Sequence, residues 1–316
     1  MFQLVGRRLA YLLPVLFGVA LLTFLIASLL PGDLATVLLG DQSTPETLAA
    51  LRRDMGLDRP IPVRFAHWLV HVLQGDLGRS YRTGQTVVAA LAERLPVSIE
   101  LMLLAQGLAL LVAVPLAILC AVREGGRFDR FVTGAAFASL SVPSLLSAIV
   151  LIWLLAVQLA WLPATGYVPL EESVAGNLRY MVLPALTLAM GEWPALMRVL
   201  RSDMISTLKE DYIAMARAKG LKPARVLLVH ALKPSSLTLV TITGINIARL
   251  LGGAVVVETI FALPGIGRLL IGSIFTRDLV LLQGVVLFVG AAFVLVNLAV
   301  DMLYAVLDPR IRHGRG

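Results

Sequence analysis

Six long apolar runs punctuate the chain, at about Leu9–Leu30, Val97–Val122, Phe131–Leu159, Tyr180–Met197, Ser236–Val257 and Leu281–Leu307. In a helix, 22 residues rise about 33 Å, enough to cross a hydrocarbon layer about 30 Å thick. Hydrocarbon offers no water to a bare backbone, so each run is predicted to be a helix that bonds to itself. Between the first and second runs lies a mixed stretch, residues 31–96. Pro31-Gly32-Asp33 stops the first helix. The segments Thr47–Met55, Val63–Leu73 and Thr86–Leu95 then space their apolar residues as helices do. Short amphipathic helices on the outer membrane surface are expected there. The fold class is therefore all-α: a polytopic membrane protein with about six transmembrane helices. It divides into residues 1–96, the first span plus an extracytoplasmic segment, and residues 97–316, a five-helix core with a loop at 198–235.

Composition agrees with the pattern. Apolar residues make up 58% of the 316, and charged residues 15%, where a soluble domain carries about 25% charged. Mean hydropathy is +0.87. The single cysteine, Cys120, excludes an internal disulfide and reads as a packed thiol. Arg7 and Arg8 precede the first run as in a signal peptide, but the run is longer than the usual apolar core of about 7–15 residues. It reads as an uncleaved first span.

The net charge of +7 would suit a nucleic-acid binder if it were clustered on one soluble face. It is distributed by side of the membrane instead. Sixteen Lys and Arg residues fall in the N-terminus, the 123–130 and 198–235 loops and the C-terminal tail, against three in the loops 160–179 and 258–280. Cytoplasmic loops are enriched in these residues, so both termini are expected in the cytoplasm. Lipid, not nucleic acid, is the expected neighbour.

The 198–235 loop is the most informative part of the chain. Asp211 to Leu221 reads as a small-residue helix, with Ala214, Ala216 and Ala218 alternating and Arg217 and Lys219 near its end. Gly220 supplies the left-handed turn that ends it. A second helix is expected from Pro223 to Leu232, broken by Pro234 before the fifth span. A surface of alanines flanked by charges admits another protein's cleft; the plainer reading is a solvated basic loop.

The Ala214–Gly220 stretch resembles the coupling loop of ABC importer permeases. The glutamate of the general motif is replaced by Ala214 and its second alanine by Met215. Ala-Arg-Ala-Lys-Gly-Leu is nonetheless the form seen in the dipeptide, oligopeptide and nickel subgroup. Met55-Gly-Leu-Asp-Arg-Pro60, Gln74-Gly-Asp-Leu-Gly78, Val255–Phe261, Leu263-Pro-Gly-Ile-Gly267 and Asp308-Pro-Arg-Ile-Arg312 are similar to that subgroup's first permease subunit. The resemblance implies a pore in the bacterial inner membrane, built with a second permease. Two cytoplasmic ATPases would bind the loop through Asp211, Ala214, Ala216, Arg217, Ala218, Lys219, Gly220 and Leu221. A solute-binding protein would dock outside. The chain has no G-x-x-x-x-G-K-[ST] phosphate cradle, so ATP and magnesium are expected on the partner ATPases and no cofactor or catalytic residue on this chain.

Polar groups within apolar runs are costly and read as functional. Arg249 with Asn246, and Glu192, form an ion pair, line the pathway, or meet lipid or a partner; the spacing leaves these open. Glu258, Pro264 and Gly265 are candidates for an outer gate. His67 and His71 have metal-pair spacing but no third ligand nearby, so no metal site is expected. The rival classes are a secondary transporter, which would show repeated halves or midplane carboxylates, and a membrane enzyme, which would need a cluster that four scattered histidines do not make.

Overall fold

The structure is a computed structural model describing residues 2–29, 44–54 and 58–307. The helices in chain order are α1 (Phe2–Leu29), α2 (Pro45–Asp54), α3 (Ile61–Leu73), α4 (Val87–Val122), α5 (Arg127–Ser141), α6 (Ser144–Leu151), α7 (Val174–Leu208), α8 (Asp211–Ala218), α9 (Pro223–Arg225), α10 (Leu232–Gly253), α11 (Val255–Ile260), α12 (Ile266–Phe275) and α13 (Leu279–Leu307). Helix α6 continues in π-helical turns to Gln158, and α9 does so to Ala231. Among the described residues the only strand-like feature is one isolated pairing, Arg79 with Thr86.

The described parts of the apolar runs are helical but for breaks at Val142-Pro143 and Ala254. Val87–Val122, Pro223–Gly252 and Leu279–Val300 are each long and apolar enough to span alone, and α5 with α6 and its π-helical extension, bent by 102°, is a broken span or a re-entrant pair. Helix α1 adds the apolar stretch Leu12–Ile26. Helix α7 is 35 residues long but carries Arg179, Glu192, Arg198 and Arg201 along its length.

Three boundaries differ from the sequence reading. The third run is not one straight span. Pro143 forces the preceding residue away from helical geometry, and Val142 is extended at φ −89°, ψ 119°. Thr86–Leu95 is not a separate surface helix; α4 runs through Pro96 without a break. Val87, Ala90 and Leu91 are buried against Ile266, Leu281 and Val285, and this packing opposes the roughly 3 kcal/mol a mid-helix proline costs. Pro234 does not break the chain before the fifth span either. The helix runs on from the π-helical turns Val226–Ala231 into α10, and those turns shift the register just where the proline has no N–H to give. The stop at Pro31-Gly32-Asp33, much of the Met55–Pro60 motif and the Asp308–Arg312 tail lie outside the described residues.

The chain forms two compact units. The first is Ile99–Leu263 with the chain from Leu295 onward. Its core is a seam of small residues on α4. Ala109, Ala113, Ala117 and Cys120 are all fully buried, in one cluster with Leu196, Met197, Leu200 and Met204 of α7. Small side chains let helices approach closely without a hydrophobic drive between them. Gly244 of α10 lies directly against Val300 of α13.

The second unit is Phe2–Ser98 with Pro264–Val294. Phe24 of α1 meets Phe65 and Trp68 of α3 at centroid distances of 5.3 and 5.6 Å. The Ser80 hydroxyl donates to the Asp278 carboxylate, and the Arg82 guanidinium donates to the Thr276 carbonyl at 2.6 Å. These bonds tie the 76–86 loop to the turn between α12 and α13.

Two glycine substitutions test the packing. A β-carbon on Gly244 collides with stiff, β-branched Val300, so Gly244→Ala is expected to cost about 1–3 kcal/mol. The melting temperature of the detergent-solubilised protein should fall. A β-carbon on Gly107 meets nothing within 4 Å, so Gly107→Ala should leave that temperature unchanged or raise it slightly.

Candidate coupling site and transport pathway

Helix α8 is a short amphipathic helix of about two turns with two distinct sides. Ile213 and Ala216 are buried, at 0% and 7% exposure, in the same core as Leu200 and Met204. Asp211, Tyr212, Ala214, Met215, Arg217, Ala218 and Lys219 are exposed. The predicted alanine surface is therefore reduced: Ala216 is an anchor, because an i, i+3 pair with Ile213 shares one helix face. Leu221 likewise packs inward against the core. Met215, 58% exposed, takes a place on the outer face that the alternation of alanines did not suggest.

The end of α8 is fixed by backbone chemistry. The N–H of Gly220 donates to the Arg217 carbonyl at 2.9 Å, and the N–H of Leu221 to the Ala216 carbonyl at 3.3 Å. Gly220 sits at φ +73°. This is a Schellman end, with the apolar residue after the glycine folded back against the last turn. Asp211 in the first turn and Arg217 in the last both suit the helix dipole.

Two flanking ties hold the loop to the longer helices. The Thr207 and Ser235 hydroxyls are 2.9 Å apart, linking the end of α7 to the start of α10. One turn before Met204 and Ile205, Arg201 clamps Asp129 near the start of α5. Its Nε and one Nη donate to the two carboxylate oxygens, each at 2.6 Å, while the Gly125 N–H donates to Oδ2 at 2.9 Å. The Asp129 side chain is 5% exposed and Arg201 25%. Asp129 lies just before the third apolar run. The Arg201 guanidinium holds its carboxyl below the usual carboxylate range, against burial, which pushes the other way. Sequence reasoning counted both residues only as charge, since 72 positions separate them and no local pattern joins them.

The candidate pathway residues are placed as follows. Asn246 is 3% exposed, and among the described residues its amide nitrogen has no hydrogen-bond partner. Arg249, one turn on, is exposed, and Glu192 of α7 is half-buried. Arg249 lies close enough to act on Glu192 electrostatically, but among the described residues no ion pair within 4.0 Å joins them. In the first unit, Glu258 is 1% exposed within α11, and its carbonyl accepts the Leu263 N–H at 2.9 Å. In the second unit, Pro264 is half-buried and Gly265 buried, the glycine immediately before α12. His67 neighbours Arg59 at 3.4 Å and His71 neighbours Asp76 at 3.8 Å.

Long apolar helices, with a capped helix in the loop between two of them, define a multi-pass membrane protein. The chain belongs to the binding-protein-dependent transport system inner membrane component family. That family's model matches residues 113–313, and the companion model for the N-terminal part matches residues 1–102. A putative peptide transport system permease protein of Brucella abortus (strain 2308) is 43% identical over 313 residues, covering 99% of this chain and 100% of that one. The dipeptide transport system permease protein DppB of Escherichia coli (strain K12) is 36% identical over 337 residues, covering 99% of each. Among solved structures, a chain of the MetNI methionine ABC transporter in an inward-facing conformation aligns with a TM-score of 0.58. It covers 69% of this chain and 96% of that chain at 15% identity, a likeness of fold alone.

The clamp makes a pH prediction. A carboxyl whose folded pKa is depressed adds stability above its unfolded value, near 3.9, and loses it as pH falls through the folded value. Melting temperature should therefore be insensitive to this group above about pH 5 and fall below about pH 4. Asp129→Asn should remove that acid step. It should also cost about 1–3 kcal/mol, because half-buried Arg201 loses its charged acceptor.

Proposed function

We propose that this chain carries peptides across the inner membrane as one of a pair of permeases, with both termini in the cytoplasm. Two cytoplasmic ATPases receive the exposed face of α8, and an extracytoplasmic binding protein delivers the substrate. The family membership supports the import role, and the names of the relatives support the peptide substrate. The observation that carries the coupling role is the division of α8 into a buried side, Ile213 and Ala216, and an exposed side, Ala214, Met215 and Ala218. A helix anchored on one side and ended rigidly at Gly220 transmits a push from a partner to α7 and α10 as one body. Residues 1–96 form the outer elaboration and 97–316 the pore core.

Glu258, Pro264 and Gly265 contribute to the outer gate in this reading. Asn246, Arg249 and Glu192 line the route. A buried amide without a partner costs about 1–3 kcal/mol, which a passing peptide group would offset. Arg249, exposed in the single chain, suits a peptide carboxylate.

Affinity pull-down from native membranes in mild detergent should recover two P-loop ATPase chains and a second permease. Recovery of this chain alone, still competent for uptake, would point to a secondary transporter instead. Gly220→Pro should abolish ATP-driven peptide uptake while the protein still inserts; undiminished uptake refutes the coupling role. Arg249→Ala should lower uptake about 10–100-fold, the worth of a charged hydrogen bond of about 1.5–3 kcal/mol, with the ATPases still recovered. Loss of assembly would make Arg249 structural.

A further inference from the structure

We infer that a cleft beside the coupling helix binds the phosphate headgroup of an anionic phospholipid. The inference rests on the proposed reading that this end of the molecule faces the cytoplasm. The cleft encloses about 500 Å³, between the end of α4, the start of α5, the end of α7 and Arg217 of α8. Four cations line it: Arg123, Arg127, Lys209 and Arg217. They face one carboxylate, Glu124, which Lys209 already holds at 3.0 Å. Among the described residues, no carboxylate lies within ion-pair distance of the three arginines. Arg123 instead lies over the Phe128 ring at 5.6 Å.

The wall is not only charged. Phe128, Ile205 and Leu208 line it beside Ala121 and Val122, the last residues of the second apolar run. Charge beside exposed hydrocarbon at a membrane margin fits an amphiphile with an anionic head. Free phosphate has no use for the apolar wall. Because Arg217 belongs to α8, a bound headgroup would bridge the coupling helix to α4 and α5, and a lipid would become part of the joint that carries the ATPase stroke.

The test uses the transporter purified with whatever partners accompany it, stripped of lipid. It is titrated with phosphatidylglycerol or phosphatidylcholine in mixed micelles, and bound lipid is counted by native mass spectrometry. Phosphatidylglycerol should bind in preference. Arg123→Gln with Arg127→Gln should weaken it about 25-fold, at about 1 kcal/mol per charge, while Arg123→Lys with Arg127→Lys should stay within about threefold. The melting temperature of each variant guards against misfolding. Phosphatidylglycerol binding unchanged by the loss of both charges overturns the inference. So does displacement of phosphatidylglycerol by millimolar inorganic phosphate, which would mark a site for a soluble anion. Loss of the ATPases with lipid binding intact overturns it too, making the cleft a protein contact. Charge-dependent lipid binding with no ATPase recovered would leave the lipid site standing and sink the coupling loop alone.

Discussion

A backbone in hydrocarbon must bond to itself, and nearly every feature of this chain follows from that demand. It makes the runs helical and leaves only a few places where the helix can be interrupted. The interruptions are therefore informative. At Pro143 the missing donor and the steric push on Val142 turn one apolar run into two helices at 102°. At Pro234 the same residue type does nothing of the kind, because π-helical turns immediately before it shift the register where its N–H is missing. At Pro96 the helix survives because α4 is packed on both sides of the proline. Position and packing, more than residue identity, decide what a proline does here.

The seam on α4 shows how such helices are held once formed. With no hydrophobic drive between helices in lipid, close approach is what remains, and three alanines four apart supply it. The same seam continues through α7 to Ile213 and Ala216. Helix α8 is thus an extension of the core rather than an appendage to a loop. The Asp129–Arg201 pair adds a polar tie at the margin, where water is near enough to soften the cost of burying charge but not to dissolve the pair.

Much of this was legible in the sequence. The apolar runs located the helices, and the glycine after an alanine-rich, charge-ended stretch located both α8 and the mechanism of its termination. The exposed and buried sides of α8 were not legible, since alternating alanines look alike and only packing tells Ala216 from Ala214 and Ala218. Nor was the clamp, for Asp129 and Arg201 are distant in sequence and ordinary one by one. The straightness of the third run was misjudged because its apolar content says nothing about a bend. Only Pro143 did, and a proline inside a span is often tolerated.

The Schellman end at Gly220 has a consequence for how such a transporter can change over generations. On the proposed coupling role, the residues that keep α8 folded and those that would meet a partner are different residues. Ile213, Ala216, Gly220 and Leu221 answer to the interior and the backbone, whereas Ala214, Met215 and Ala218 answer to whatever lies outside. A lineage that acquires a new ATPase can therefore rewrite the second set one position at a time without putting the first at risk. In such a joint, the choice of engine drifts freely while the mounting stays the same.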